Sequence, residues 1–195
     1  MKRFVIWVFV LSQIIFCMVY PFLQPLIVYL HSIVIVVTWV CWTTFFLFIA
    51  LWMRSASIYI PKSFLLSLFA CYSIGLIVLL FFRPSSTGGL TINLIPFQTI
   101  QFYLSGRVSF LIAFYNLAAN IGLFIPVGLW WKASYPSRSK RMNFLFPLVL
   151  IISIESVQLL SHSGAWDIDD FILNILGVYI GYMLTPLCQK VIHTH

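Results

Sequence analysis

Long apolar runs, separated by short basic or proline-containing stretches, constrain this chain more than any other feature of its sequence. Of its 195 residues, 62% are hydrophobic and only 8% are charged, and the mean hydropathy is +1.05. A soluble domain of this size cannot bury so much apolar surface, so we expect lipid to be the main solvent of this chain. The net charge is +7, and the basic residues lie between the apolar runs rather than along one stripe. This distribution indicates membrane topology and no nucleic-acid partner.

The apolar runs predict six transmembrane helices, since a helix needs about 17–25 mostly apolar residues to cross a bilayer. The predicted spans lie near residues 4–22, 27–53, 63–82, 109–131, 143–161 and 167–187. Nine of the 11 lysines and arginines fall on one side of this arrangement, and Arg83 and Arg107 fall on the other. Because basic residues are retained in the cytoplasm, we expect both termini to be cytoplasmic. The predicted fold class is all-α, a polytopic membrane helix bundle.

The connection between Arg83 and Arg107 is expected to be extracytoplasmic, yet much of it is apolar. It contains TINLIPF at residues 91–97 and further apolar side chains up to Leu104. Pro96 precludes one uninterrupted helix through the connection. We therefore predict an interfacial or re-entrant outer loop that rests on the bundle.

Every acidic residue of the chain falls within residues 155–174, ESVQLLSHSGAWDIDDFILN. These acids are Glu155, Asp167, Asp169 and Asp170. A carboxylate is expensive to bury in a membrane, so an intramembrane acid marks a functional site by default. The structural alternative is that Glu155 hydrogen-bonds between helices, while the aspartates cap the next helix at Asp167 and suit its dipole.

Helical periodicity predicts that the polar residues of two spans face each other. One face of the fifth span and one face of the sixth carry three residues each: Glu155, Gln158 and His162 on the fifth, and Asp167, Asp170 and Asn174 on the sixth. On the fourth span, Asn116 and Asn120 are one turn apart. From the helical rise, Glu155, Asn174 and Asn116 lie roughly 10 Å below the outer ends of their helices. We expect these residues to form an intramembrane polar layer that is open to the outside.

The sixth span also carries a packing signal. Gly177 and Gly181 form a GxxxG on its polar face, and such a pair lets another helix approach closely. The sequence leaves open whether that helix belongs to this chain or to a second copy.

The acidic stretch is compatible with binding and with catalysis. Glu155, Asp167 and Asp170 supply the oxygen ligands that a hard divalent cation takes, although their spacing is not diagnostic; no other cofactor is expected. If the protein is an enzyme, the candidate catalytic residues are Glu155, His162 and Asp170. His162 could act as an acid or a base, or be an ordinary interfacial histidine.

Several short motifs, in their order and spacing, resemble those of the VanZ-like family over about residues 83–185. They are Arg83, NLIPF at 93–97, NIGLFIPVG at 120–128, ESVQ at 155–158, and DIDD at 167–170 followed by Asn174 and Gly177. The resemblance implies a multi-pass protein of the bacterial cell membrane whose site faces outward. It also divides the chain into an added two-helix anchor at 1–62, a four-helix VanZ-like domain at 63–187 and a short cytoplasmic tail at 188–195.

The resemblance and the polar layer together give one set of candidate ligand-binding residues. The set comprises Arg83, Asn93, Pro96, Phe97, Asn116, Asn120, Glu155, Gln158, Asp167, Asp169, Asp170 and Asn174. One position departs from the family, which usually carries an arginine where this chain has Gly164. If that arginine binds an anion in relatives, Arg83 or Arg107 replaces it here or the ligand differs.

VanZ-like proteins are associated with resistance to the lipoglycopeptide teicoplanin, so the resemblance implies a role at the cell envelope. The first hypothesis is a protein that binds a membrane lipid, a lipid-linked cell-wall precursor or the lipoglycopeptide, and lowers teicoplanin access to its target. The alternative is a membrane-embedded, metal-assisted enzyme acting on a lipid head group. A third hypothesis is a structural partner protein in which the polar layer is only packing.

Overall fold

The computed structural model describes residues 2–27, 33–81, 92–161 and 166–194. Within these residues the chain forms seven α-helices and four short strands. The helices are α1 (Lys2–Ile27), α2 (Ile33–Met53), α3 (Lys62–Phe81), α4 (Gln98–Leu104), α5 (Phe110–Ser134), α6 (Lys140–Leu160) and α7 (Ile168–Val191). The strands are β1 (Ile58–Ile60), β2 (Ile92–Asn93), β3 (Trp166–Asp167) and β4 (Ile192–Thr194).

Five of the described helices, α1, α3, α5, α6 and α7, are long and apolar enough to cross a membrane. The helical class is therefore confirmed, and several helices could span a membrane as predicted. In α2, a shorter apolar stretch is found at Trp42–Met53. The count of six spans and the cytoplasmic termini remain predictions.

Two short parallel strand pairs accompany the helices and were missed by the sequence analysis. Strand β1 pairs with β4, with Ile58 opposite Ile192, and β2 pairs with β3, with Asn93 opposite Asp167. Segments of two or three residues are too short to show the alternation of polar and apolar side chains that identifies a strand. The sequence analysis expected a short tail at residues 188–195. In the structure, α7 continues to Val191, and β4 then pairs with β1.

The chain divides into two compact units, Met1–Ile60 with Gln189–His195, and Pro61–Cys188. In the first unit, polar side chains connect α1 to α2. The Trp42 indole donates a hydrogen bond to the Ser12 carbonyl at 3.1 Å, and the Gln13 amide donates to the Thr43 hydroxyl at 3.2 Å. Ser12 is fully buried. Hydrogen bonds of this kind hold helices together in lipid, where apolar packing alone provides no solvent-driven attraction.

The core of the second unit is built from all four of its long helices. Its buried residues are Leu76 of α3, Phe124 and Val127 of α5, Ile151 of α6 and Val178 of α7. Phe124, Ile151 and Val178 have no exposed surface. The relative positions of these helices are therefore fixed by interdigitated side chains.

Helices α5 and α7 approach so closely that three glycines are required between them. A Cβ atom would lie 2.2 Å from the Ile121 carbonyl oxygen at Gly177, and 2.3 Å from the Ile125 carbonyl oxygen at Gly181. A Cβ atom at Gly128 of α5 would lie 2.1 Å from the Val178 oxygen. The close approach predicted from the GxxxG is confirmed, and the helix that approaches is α5 of the same chain.

Alanine at Gly177 or Gly181 is expected to lower the free energy of unfolding by roughly 1–3 kcal/mol, because the added methyl group meets backbone atoms that cannot rotate away. The control is Gly122→Ala in α5, where a Cβ atom would meet nothing within 4 Å. Unfolding in a neutral detergent measures both changes. Equal stability of Gly181→Ala and Gly122→Ala would contradict the close contact.

Candidate functional site

The chain segment before α4 is joined to the start of α7 by a side-chain pair at the β2–β3 strands. The Asn93 amide donates to Asp167 Oδ1 at 3.2 Å and to the Thr99 hydroxyl oxygen at 3.2 Å. The carbonyl oxygen of the Asn93 side chain accepts the Ile95 backbone N–H at 3.2 Å. This local bond is an Asx turn, which shapes the chain immediately before Pro96.

Asp167 caps α7 and contacts the loop at the same time. Its Oδ1 accepts the Asp169 backbone N–H at 2.9 Å, which is the bond of a helix N-cap. The N-cap interpretation of Asp167 is therefore confirmed. Its Oδ2 accepts the Thr99 hydroxyl at 2.6 Å, a contact that the sequence analysis missed because nothing in the sequence pattern distinguishes Thr99.

Asp169 is fully buried and caps a helix other than its own. Its Oδ1 accepts the Phe97 backbone N–H at 2.5 Å, and its Oδ2 accepts those of Thr99 at 2.7 Å and Ile100 at 3.0 Å. These amides begin α4, whose own N-cap residue, Phe97, provides no side-chain hydrogen bond. The buried carboxylate thus satisfies helix donors that would otherwise lack partners, and it suits the positive end of the helix dipole.

The Asp169 contact also supports a strained backbone. Phe97 has φ of 66°, in the left-handed region that bulky side chains rarely adopt. Such a conformation costs of order 1–3 kcal/mol and persists only where surrounding contacts determine it. Here the Phe97 N–H is held by Asp169. Pro96 and the Phe97 side chain are exposed.

Asp170 connects α7 to α5, since its Oδ1 accepts a hydrogen bond from the Asn120 amide. Asn120 is half-buried. Asn116, one turn earlier, donates to the Ile112 carbonyl of its own helix at 2.7 Å. Asn120, one helical turn after Asn116, therefore joins α5 to the acidic stretch.

Glu155 and Asn174 meet between α6 and α7, as expected for facing residues of one polar layer. Glu155 is 3% exposed, Asn174 is 4% exposed, and the Asn174 amide lies 3.5 Å from Glu155 Oε1. This distance is at the long limit of a hydrogen bond. One turn along α6, the Gln158 amide donates to the Leu80 carbonyl of α3 at 2.9 Å.

Three positions of interest lie outside the described residues: Arg83, His162 and Gly164. Arg107 is exposed, and the described residues show no arginine paired with Glu155. Across the same residues, no group of three or more His, Cys, Asp or Glu side chains is arranged to hold a metal ion. Two roles therefore remain predictions. One is binding of a cation by Glu155, Asp167 and Asp170, and the other is catalysis by Glu155, His162 or Asp170.

The segment held by Asp167 and Asp169 exposes a largely apolar surface. We refer to residues 92–104 as the α4 segment. Six of its large apolar side chains are 44–71% exposed: Ile92, Leu94, Ile95, Phe97, Phe102 and Leu104. The site therefore combines a buried acid–amide layer with an adjoining apolar segment.

Comparison with known proteins identifies the family. The family described as VanZ/LLP1 matches residues 69–189, more than half of the chain. The chain belongs to the VanZ/LLP1 family. Together with the long apolar helices, this membership establishes a membrane protein. The matched range includes every motif on which the sequence resemblance depended.

Among curated relatives, Protein VanZ of Enterococcus faecium is 34% identical over 77 residues, covering 40% of this chain and 48% of VanZ. The chain therefore spans about half the length of the relative that it matches. No solved structure matches this chain.

The Asn120–Asp170 bond is expected to couple α5 to α7 energetically. In a double-mutant cycle with Asn120→Ala and Asp170→Ala, we expect an interaction energy of roughly 0.5–3 kcal/mol, because each change removes the other residue's partner. The control pairs Asp170→Ala with Asn143→Ala, since Asn143 accepts from Trp131 at 3.1 Å. That pair should be additive within about 0.5 kcal/mol. Additivity in both pairs would show that Asn120 and Asp170 act independently.

Proposed function

We propose that this member of the VanZ family binds the polar head of a membrane lipid, a lipid-linked cell-wall precursor or a lipoglycopeptide at the outer leaflet. By doing so, it lowers the access of teicoplanin to its target. The observation that carries the proposal is the α4 segment, whose apolar side chains are exposed while Asp169 holds its backbone and Asp167 holds its Thr99 side chain.

The apolar part of the site supports a ligand that carries a hydrocarbon chain. Burying apolar surface contributes about 25 cal/mol per Å², so several large side chains on one short segment provide substantial affinity for an acyl or polyprenyl chain. Leu94, Ile95 and Leu104 are each more than 60% exposed. The Asp169 carboxylate holds the segment in one conformation, which reduces the entropy that binding would otherwise cost.

The polar part of the site supports a head group rich in hydrogen-bonding groups. Glu155 and Asp170 supply acceptor oxygens, and Asn120 and Asn174 supply amide groups that can both donate and accept. A head group with hydroxyl, amide or ammonium groups would complement these side chains.

The antibiotic part of the proposal rests on family membership. The family is associated with teicoplanin resistance, while the match with Protein VanZ covers about half of that protein. A selective effect on teicoplanin is expected because this antibiotic carries its own lipid chain, which the α4 segment would engage. Vancomycin lacks such a chain, so its action should change little.

The test is expression of the full chain in a sensitive Gram-positive host, with susceptibility to teicoplanin and vancomycin measured at matched membrane levels. We expect the wild type to protect against teicoplanin only. Glu155→Gln and Asp170→Asn should abolish this protection, since losing one charge-assisted contact of about 1.4 kcal/mol lowers affinity tenfold.

The matched control is Ser153→Ala, an exposed position of α6 whose hydroxyl donates to the Val149 carbonyl of its own helix at 2.7 Å. It should protect like the wild type. A wild type that gives no teicoplanin protection would contradict the antibiotic role. Protection that survives both acidic-stretch variants would contradict the assignment of the site.

A further inference from the structure

The first unit has a basic end that contains no acidic residue. All four acids of the chain lie at residues 155–170, outside Met1–Ile60 and Gln189–His195. Arg3, Arg54 and Lys190 are exposed where α1 begins and where α2 and α7 end. This unit supplies no acidic side chain to these three cations, so anions from outside the unit can act as their counter-ions. The surface of a membrane with anionic lipids supplies such charges.

An open cleft of about 440 Å³ lies at this end, lined by Trp52, Ser55, Lys190 and Val191. Its volume falls within the range of about 300–1,000 Å³ that is usual for small-molecule sites. Lys190 provides a point charge and Ser55 a hydroxyl group. Trp52 is 43% exposed, and tryptophan is the side chain that prefers the level of lipid head groups.

Ser55 has a left-handed backbone conformation that glycine adopts at a lower energetic cost. Its φ is 50°, its N–H donates to the Trp52 carbonyl at 3.0 Å, and the Ala56 N–H donates to the Leu51 carbonyl at 3.0 Å. These bonds form a Schellman motif that closes α2, in which the left-handed residue is usually glycine. A serine there carries backbone strain that a glycine would not. A side chain kept in a strained conformation beside a cleft is a reason to assign it a function.

Arg54 adjoins Ser55 and is held in a way that leaves its hydrogen-bond donors accessible. Its guanidinium carbon lies 4.2 Å from the centre of the Phe4 ring. The ring attracts the cation electrostatically without using its hydrogen-bond donors, and Arg54 is exposed. The N–H groups of a guanidinium match the oxygens of a phosphate.

We propose that the cleft binds the phosphate group of an anionic phospholipid in the leaflet at this end of the protein. Lys190 and Arg54 neutralise the phosphate, the Ser55 hydroxyl donates a hydrogen bond to it, and Trp52 contacts the glycerol region. The site is independent of the function proposed for the acidic stretch, because it lies in the other unit of the chain.

The test measures lipid binding to the purified full chain in a neutral detergent, by native mass spectrometry. Phosphatidylglycerol is compared with phosphatidylcholine and with inorganic phosphate. We expect phosphatidylglycerol to bind more tightly than both. In the double variant Arg54→Gln/Lys190→Gln, its affinity should fall roughly 30-fold, since each basic residue near a lipid surface contributes about 1 kcal/mol.

The matched control is Arg138→Gln/Lys140→Gln, which removes the same charge from exposed positions of the second unit. Arg138 also lies over an aromatic ring, that of Tyr135, at 5.3 Å. This control should retain wild-type affinity for phosphatidylglycerol. Equal losses in the two double variants would overturn the proposal, as would equal binding of phosphatidylglycerol and phosphatidylcholine. Free phosphate that binds as tightly as the lipid would overturn the lipid as the ligand.

Ser55→Gly separates binding from folding. Glycine relieves the left-handed strain, so this variant should be at least as stable as the wild type. Because it lacks the hydroxyl group, its affinity for the lipid should be about fivefold lower. A stable Ser55→Gly protein with unchanged affinity would show that the hydroxyl does not contact the lipid.

Discussion

The buried carboxylate of Asp169 is the constraint on which the candidate site depends. Its two oxygens accept three backbone N–H groups at the start of α4, from Phe97, Thr99 and Ile100. A buried charge is stable only when such bonds replace its water, and a helix of seven residues is too short to be stable without tertiary contacts. Each partner therefore stabilises the other. The same contact fixes the strained Phe97 and, with it, the direction in which the apolar side chains of the α4 segment project.

The glycine contact between α5 and α7 brings the polar residues of the bundle together. Gly177 and Gly181 allow α7 to approach the α5 backbone, and this approach lets Asn120 reach Asp170 across the two helices. Glu155 meets Asn174 between α6 and α7. Each of these two contacts pairs an acid with an amide, which lowers the cost of keeping a carboxylate in a membrane domain.

Most of the fold could be predicted from the sequence, because long apolar helices and a GxxxG leave clear patterns of hydropathy and spacing. The pairing of Glu155 with Asn174 followed from helical periodicity. The role of Asp169 did not, since its partners are backbone amides from a segment some 70 residues earlier, and a side-chain pattern does not reveal them. Thr99 was missed because nothing in the sequence pattern distinguishes it, and the strands were missed because two or three residues show no alternation. The polar contacts between α1 and α2 were also missed, because Ser12 and Gln13 are isolated within an apolar run.

Hydrogen–deuterium exchange of the α4 amides in the full chain, in a neutral detergent, tests the central role of Asp169 most directly. In the wild type, the Thr99 and Ile100 amides should exchange slowly despite lying near the start of a short helix. Asp169→Asn should raise their exchange rates roughly 10- to 100-fold, because it replaces a charged acceptor whose bonds are each worth about 1.5–3 kcal/mol. Asp170→Asn should leave these amides protected. Unchanged exchange at Thr99 and Ile100 in Asp169→Asn would contradict the account.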